Sequence, residues 1–150
     1  MEIERKFLID TLPFNPEVYP STEIVQAYLN VAPVVRIRRD GDDYYLTYKS
    51  GGLMAREEYN LPLNKSAFYH LLSKADGNII SKTRYRIPLG EKYTIELDFF
   101  HDKFEGVRLA EIEFETVEEA EAFNPPDYFG KDVTYDPEYH NSNMSRKVFD

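Results

Sequence analysis

Glu2-Ile3-Glu4-Arg5-Lys6 places charged residues at every second position, with an apolar residue between the first two. In a β-strand, residues i and i+2 lie on one face about 6.6 Å apart, so Glu2, Glu4 and Lys6 point the same way. The same spacing recurs along the chain, in Arg36 and Arg38, Arg56 and Glu58, Lys82 and Arg84, Glu96 and Asp98, and Glu111 and Glu113. The fold therefore has to accommodate one charged face on many strands.

Turn residues divide the chain into eight predicted strands and a few helices. Asp40-Gly41-Asp42 is typical of a hairpin turn, and Gly51-Gly52 indicates another. Asn64 is expected to cap a helix that Gly77 ends, and Thr116 with Glu119 is expected to form a capping box for a second helix. The strand patterns cover 3–9, 24–31, 34–39, 44–49, 55–63, 80–87, 92–100 and 107–115. We predict an α+β fold in which a closed antiparallel barrel removes the unpaired sheet edges.

The charged strand faces allow two interpretations. For any single strand, the charged face is most often the wet outer face of an antiparallel sheet. For the whole set, both signs of charge are clustered on one face, and apolar residues such as Ile3, Ile37 and Ile112 need a core on the other. The set therefore favours a barrel with its charges inside and its apolar face packed against helices.

Length and composition limit the function classes. The chain has 150 residues, which suits one domain over residues 1–150, and a net charge of −9 that disfavours general nucleic-acid binding. It contains no cysteine and no apolar run of membrane-spanning length, so we expect a cytoplasmic protein without a membrane partner. The oligomeric state is not readable from these features.

The two signs of charge suggest a ligand. Several Lys and Arg side chains can neutralise a polyphosphate, and Arg adds bidentate contacts to phosphate oxygens. Clustered carboxylates can hold Mg²⁺ or Mn²⁺, which prefer oxygen ligands and bridge to phosphates. A charged lumen therefore favours a small triphosphate or nucleotide substrate with a divalent cation.

Further motifs follow the N-terminal stretch in a fixed order. They are Gln26-Ala27-Tyr28-Leu29, Val35-Arg36-Ile37-Arg38, Tyr45-Leu46-Thr47-Tyr48-Lys49, Arg56-Glu57-Glu58, Lys82-Thr83-Arg84-Tyr85, Glu96-Leu97-Asp98-Phe99, Ala110-Glu111-Ile112-Glu113-Phe114, and Asp132-Val133-Thr134 with Tyr139 and Asn141. With Glu2-Ile3-Glu4-Arg5-Lys6, this ordered set resembles the CYTH superfamily, also called triphosphate tunnel metalloenzymes, along nearly the whole chain.

The resemblance implies an eight-stranded tunnel and a role for each matching residue. It implies metal ligands at Glu2, Glu4, Glu111 and Glu113, and catalytic roles for Glu4, Lys6 and Glu58. Glu58, Glu96 and Asp98 would be outer acids or ligands of a second metal. The implied phosphate ligands are Lys6, Arg36, Arg38, Lys49, Arg56, Lys82 and Arg84. We expect a divalent-metal-dependent triphosphatase that favours inorganic triphosphate.

Other activities stay open at this point. They are a class IV type adenylate cyclase that converts ATP into cyclic AMP, a thiamine triphosphatase, and a non-catalytic binding module.

Asn60 departs from the family pattern, where a third acid is common, and Arg108 is unexplained. Longer relatives supply a basic residue from a C-terminal helix, a place that Arg146 or Lys147 could take. We expect structural or surface roles for His70, His101 and His140, and a helix start at Asp136-Pro137.

Overall fold

An antiparallel sheet of nine strands dominates the computed structural model, which describes residues 1–52 and 54–149. The strands are β1 (Glu2–Leu8), β2 (Ser21–Val31), β3 (Val34–Asp40), β4 (Asp43–Lys49), β5 (Ala55–Arg56), β6 (Glu58–Leu63), β7 (Asp76–Leu89), β8 (Tyr93–Phe100) and β9 (Arg108–Glu113). The helices are α1 (Lys65–Leu72), α2 (Val117–Ala122) and α3 (Asn141–Met144), with short 3-10 turns at Pro16–Val18, Asp102–Phe104 and Pro137–Tyr139. None of the helices in the described ranges has the length and apolar character needed to cross a bilayer.

The sheet closes into a barrel through β5 and β6, which follow each other directly in the chain and stand at opposite ends of the strand order. The strand order is β5-β1-β9-β8-β7-β2-β3-β4-β6, and Glu57 alone separates β5 from β6. One continuous segment thus pairs with β1 through Arg56 and with β4 through Glu58. The predicted barrel is confirmed, and the predicted strand over 55–63 is divided in two where the chain passes from one partner strand to the other.

Side-chain burial shows which strand face lines the interior. Arg36, Arg38 and Glu111 are only 5%, 7% and 6% exposed. Ile37, which points the opposite way between the two arginines, packs with Ala27 in the cluster beneath α1. The interpretation with charges on a wet outer face is therefore wrong, because the charged face is enclosed and the apolar face is covered.

The first helix begins as predicted but ends earlier. Asn64 Oδ1 accepts a hydrogen bond from Ala67 N at 2.7 Å, which satisfies one of the free N–H groups of α1. The helix ends at Leu72, and Gly77 lies in β7 instead of terminating α1. Gly77 has φ +76°, and a Cβ there would come within 2.2 Å of Ser145 O. Glycine is needed at this position for the close approach of the C-terminal segment.

The second helix has half of its expected cap. Thr116 Oγ1 accepts from Glu119 N at 3.1 Å, as predicted. The reciprocal bond of a capping box is not formed, because the Glu119 carboxylate instead pairs with Lys92 at 2.5 Å and accepts from the Tyr93 hydroxyl. The capping-box prediction is therefore corrected to a single Thr116 cap, and Glu119 ties α2 to β8.

Arg5 lies between two tunnel residues but points to the outside of the barrel. Its Nη1 donates to the carbonyl oxygens of Ala120 at 3.1 Å and Phe123 at 3.0 Å, at the C-terminal end of α2. Its Nη2 pairs with Asp132 at 2.9 Å, and its guanidinium lies 4.9 Å from the centre of the Phe7 ring. Arg5 thus fastens α2 and the segment after it to β1.

Replacing Arg5 by Ala should lower the free energy of unfolding by about 2–3 kcal/mol, since several charge-assisted hydrogen bonds are lost at a largely buried site. Urea unfolding followed by circular dichroism measures the change. Lys131→Ala, at an exposed position beside Asp132, is the control and should change stability by less than about 0.5 kcal/mol. A loss for Arg5→Ala no larger than that of the control would contradict the fastening role.

Candidate active site

A charged cavity of about 180 Å³ runs inside the barrel. Its walls come from strands on all sides, because the alternation within each strand turns every second side chain inward. Eleven of the twelve residues predicted as catalytic groups, phosphate ligands or ligands of the first metal lie in this wall: Glu2, Glu4, Lys6, Arg36, Arg38, Lys49, Arg56, Glu58, Arg84, Glu111 and Glu113. The closed barrel thus brings together residues that are up to 111 positions apart in the chain.

Two arginines of β3 face the cavity with neutral partners. Arg38 donates from Nε and Nη2 to Gln26 Oε1 at 2.8 and 2.5 Å. Arg36 donates from Nη2 to Thr47 Oγ1 at 3.3 Å, and its buried Nε has no hydrogen-bond partner among the described residues. Burial and the neighbouring Arg36 charge lower the pKa of Arg38. Since neither arginine forms an ion pair in the described ranges, this wall carries positive charge that an anion can neutralise.

A second group of cations is already paired with acids. Lys49 Nζ lies 2.9 Å from Glu2 Oε1 and 3.2 Å from Glu58 Oε2, and Arg56 Nε lies 3.6 Å from Glu2 Oε1. Burial raises the pKa of Glu2. Burial would also raise that of Glu58, but a hydrogen bond with Glu2 and the Lys49 charge lower it to about 2. Glu58 therefore stays ionised at neutral pH, and this cluster orders the wall where β1, β5 and β6 meet.

Glu111 is the centre of a third cluster, on the opposite side of β1. Its carboxylate lies 3.3 Å from Lys6 Nζ and 3.4 Å from Arg84 Nη2. Burial would raise the pKa of Glu111, yet Lys6 and Arg84 hold it well below its usual range. Arg84 also contacts Glu96 at 3.0 Å and Asp98 at 2.7 Å. Glu111 is thus a fixed anion between two cations.

Glu4 differs from the other buried acids because it lacks a cation of its own. It forms no ion pair within the described part of the chain, and Glu113 stands directly opposite it on β9. Burial, followed by the charges of Glu111 and Glu2, raises the pKa of Glu4 to about 7. Like charges opposite each other in a sheet are unfavourable, so this position favours a cation between them.

The acidic side of the cavity fits a hard divalent cation by its donor chemistry. Glu2, Glu4, Glu111 and Glu113 offer carboxylate oxygens only, the ligands that Mg²⁺ and Mn²⁺ prefer. In the described residues, no three carboxylate or imidazole groups converge into a preformed metal site. The reason is that Glu2 and Glu111 are turned onto Lys49 and Lys6. Holding a cation thus requires these acids to exchange a lysine for the ion.

Lys82, the twelfth predicted residue, lies apart from the cavity wall. Its side chain is fully buried, with Nζ 2.7 Å from Asp98 Oδ2 and 5.2 Å from the centre of the Phe100 ring. Burial lowers the pKa of Lys82 to about 7. Asp98 in turn holds the guanidinium of Arg84 through both of its oxygens, at 2.7 and 2.8 Å. A phosphate-binding role for Lys82 stays a prediction, and its observed contacts support Arg84 from behind.

Several wall residues were missed by the sequence analysis, most of all His140, for which we expected a surface or structural role. His140, Asn141 and Ser142 line the cavity. The tail reaches this place because Val133 N donates to Lys6 O at 2.8 Å, which pairs the closing segment with β1. The closing motif recognised in the sequence includes Val133 and Asn141, but it assigned no wall position to His140. Glu96, predicted as an outer acid or a ligand of a second metal, also lines the wall, and that role stays a prediction. The further wall residues without an assigned role are Tyr28, Val34, Asp40, Tyr45, Asn60 and Arg86.

The C-terminal basic residues take no part in the cavity wall. Arg146 lines an outer groove beside Asn30 and Asp76, and Lys147 Nζ lies 3.9 Å from Glu138 on the surface. In the described conformation, neither residue takes the tunnel position that longer relatives fill from a C-terminal helix. The physical reason is that α3 ends at Met144, before either residue, and turns its last residues outward along β7.

Contacts in the structure explain Arg108 and test the helix start predicted at Asp136-Pro137. Arg108 lies with its guanidinium 4.7 Å from the centre of the Phe99 ring, which explains it as an outer-face packing residue. Asp136 accepts from Glu138 N at 3.0 Å and caps the turn at Pro137–Tyr139, as predicted. Asp132 is engaged by Arg5 and Thr134, so neither aspartate belongs to the tunnel.

Comparisons with known proteins agree with this geometry. A family model described as CYTH domain matches residues 1–127. A protein of Nitrosomonas europaea named inorganic triphosphatase is 35% identical over 150 residues, with 98% of each chain covered. A protein of the same name from Acetivibrio thermocellus is 33% identical over 155 residues, covering 99% of this chain and 95% of that one. The crystal structure of an inorganic triphosphatase matches with a TM-score of 0.73 and 32% identity, covering 99% of this chain and 96% of that one.

Proposed function

Because the chain belongs to the CYTH domain family, we propose that it hydrolyses inorganic triphosphate inside the tunnel, with the assistance of a divalent cation. The observation that carries this proposal is the pair Arg36 and Arg38, two buried cations of the cavity wall whose hydrogen-bond partners are neutral. A buried charge without a counter-ion is unfavourable, so these positions favour an anionic ligand. A chain of phosphates supplies several negative charges within the length of the tunnel.

Substrate binding falls to the basic residues of the wall. Arg36 and Arg38 take phosphate oxygens directly, because they need not give up a carboxylate first. Lys6, Lys49 and Arg84 each form an ion pair with a carboxylate. They add neutralisation of the phosphate charge, while the carboxylates keep them in place. Arg gives two parallel hydrogen bonds to a phosphate, which orients the chain as well as binding it. The wall thus aligns the terminal phosphorus for in-line attack.

The acidic residues have the complementary task. Glu2, Glu4, Glu111 and Glu113 would hold the divalent cation, which supplies charge neutralisation on phosphate oxygens and activation of water. Glu58, whose pKa is lowered to about 2, remains an anion and holds the Lys49 ammonium in place. Glu4, with a pKa of about 7, is the acid whose charge depends most on a nearby cation.

The reaction needs no nucleophile from the protein. The oxygen of a water molecule forms a bond to the terminal phosphorus, and the bond from that phosphorus to the bridging oxygen breaks. Diphosphate leaves with the electron pair, and the proton that the water loses ends on the phosphate products or in solvent. Protein groups bind and orient the reactants, which is the main contribution available to phosphoryl transfer.

The composition of the wall argues for inorganic triphosphate over ATP. Its apolar or aromatic residues in the described ranges are Tyr28, Val34, Tyr45 and His140, and they are outnumbered by charged groups. A purine pocket is usually walled by apolar side chains with a few polar groups. ATP binding would thus leave the base with little compensating contact, and we expect slower turnover of ATP.

We predict that the purified protein releases orthophosphate from triphosphate and forms no cyclic AMP from ATP. The measurement is a parallel assay of orthophosphate, diphosphate and cyclic AMP on triphosphate, ATP and thiamine triphosphate, with Mg²⁺ and with Mn²⁺. Addition of a chelator should abolish turnover, which tests the cation separately. Equal amounts of diphosphate and cyclic AMP from ATP, with triphosphate left intact, would establish the cyclase activity instead.

A further inference from the structure

A small side cavity adjoins the tunnel beside the closing segment. It measures about 10 Å³ and is lined by Glu4, Lys6, Arg56, Thr134 and His140. This volume is on the scale of one water molecule, which needs roughly 10–15 Å³ and two to four polar partners. All of its lining residues except Thr134 also line the tunnel. A water here would stand at the edge of the space proposed for the substrate.

An attacking water must give its hydrogens to acceptors so that a lone pair faces the phosphorus. Lys6 and Arg56 offer only donors. The Thr134 hydroxyl is already engaged by the protein, since it accepts from Lys6 N at 2.9 Å and donates to Asp132 Oδ1 at 2.6 Å, which leaves it a single lone pair. Among the described residues that line the side cavity, the side-chain acceptors without any protein donor are the carboxylate of Glu4 and one ring nitrogen of His140.

The orientation of His140 decides which nitrogen is available. His140 Nε2 lies 2.9 Å from the carbonyl oxygen of Thr134. A carbonyl can only accept, so Nε2 carries the hydrogen and the neutral ring has its lone pair on Nδ1. Burial lowers the pKa of His140, in keeping with a neutral ring. Within residues 1–52 and 54–149, Nδ1 makes no hydrogen bond.

We propose that His140 holds the attacking water in the side cavity by accepting its hydrogen bond at Nδ1, while Thr134 O fixes the ring. This role rests on the proposed triphosphatase function and deepens it. The water oxygen then bonds to the terminal phosphorus and diphosphate leaves, as above. His140 orients the water and neither keeps its proton nor contacts the leaving group. The backbone contact of Tyr139 O with Lys6 Nζ, at 3.1 Å, holds this part of the tail against the tunnel.

Two isosteric substitutions separate the two ring nitrogens. In His140→Asn the carboxamide oxygen can reach the position of Nδ1, whereas in His140→Gln the carboxamide reaches only the position of Nε2. We expect kcat on triphosphate to fall about 10-fold in His140→Gln, the scale of one lost hydrogen bond, and by less than about threefold in His140→Asn. KM should stay within about twofold in both, because the cations that bind triphosphate are untouched.

The control is His70→Gln, the same substitution at an exposed position on α1, which should leave kcat and Tm unchanged. Thermal unfolding of all variants and calorimetric titration with triphosphate check the fold and the binding wall. An unchanged kcat in His140→Gln overturns the inference, as does an equal loss in His140→Asn at unchanged Tm. If the unsubstituted protein itself leaves triphosphate intact, the proposed function fails and this inference fails with it. If the unsubstituted protein is active and all variants match it, only the inference fails.

Discussion

Replacing Glu4 by Gln should lower the rate of triphosphate hydrolysis by about 100-fold or more, the scale of losing an electrostatic contact to a catalytic cation. The substitution keeps the shape of the side chain and removes its charge. Glu4 is the acid with the clearest need for a cation, since Glu113 stands opposite it and burial with the Glu111 and Glu2 charges raises its pKa to about 7. Glu111 and Glu2 already have lysine or arginine partners.

The measurement is kcat against cation concentration, up to saturation, for the unsubstituted protein and for Glu4→Gln. Glu121→Gln, an isosteric change on the exposed face of α2, is the matched control and should leave the rate unchanged. If Glu4 binds the cation, the variant should also need more Mg²⁺ or Mn²⁺ to reach half of its maximal rate. An unchanged rate at saturating cation would argue against Glu4 as a ligand.

Replacing Arg38 by Ala should weaken triphosphate binding by about 10- to 100-fold, the value of a charge-assisted contact worth roughly 1.5–3 kcal/mol. Orthophosphate should lose much less, because a single phosphate touches fewer of the basic residues along the tunnel. Arg38 is suited to this test because its guanidinium is held by Gln26, so its removal frees no acid. Calorimetric titration with each anion, with a chelator present to prevent turnover, gives the two dissociation constants.

Arg38→Lys provides the matched variant for that experiment. It keeps the positive charge but loses the planar fork that gives two parallel bonds to a phosphate. Its loss for triphosphate should lie between those of the unsubstituted protein and Arg38→Ala. Equal losses for triphosphate and orthophosphate in Arg38→Ala would place this residue outside the path of the phosphate chain.

Most of the candidate site was readable from the chain because strand periodicity is a local property. Period-two charge in Arg36-Ile37-Arg38 or Glu111-Ile112-Glu113 already separates a charged face from an apolar one. The apolar face needs a core, and the presence of both signs of charge on many strands favoured a barrel with the charged faces inside. Burial of Arg36, Arg38 and Glu111 agrees with that reasoning.

Strand periodicity does not predict contacts between segments that are distant in the chain. Gly77 lies in β7 against Ser145 instead of ending α1, and Glu119 pairs with Lys92 instead of completing the α2 cap. In both cases, a contact with a residue at least 26 positions away in the chain takes the place of the local interaction that we predicted. Local propensity carries no information about such partners.

The sequence by itself determined that charged and apolar residues alternate along the strands. This alternation favoured a barrel whose interior holds both acids and bases. Only the tertiary structure decided how these charges pair. It left Arg36 and Arg38 with neutral partners, placed Lys82 behind the wall against Asp98, and brought His140 into the lumen. The physical reason is that alternation sets the face of a side chain, whereas its partner depends on strand register and on where the tail docks, and both are long-range properties.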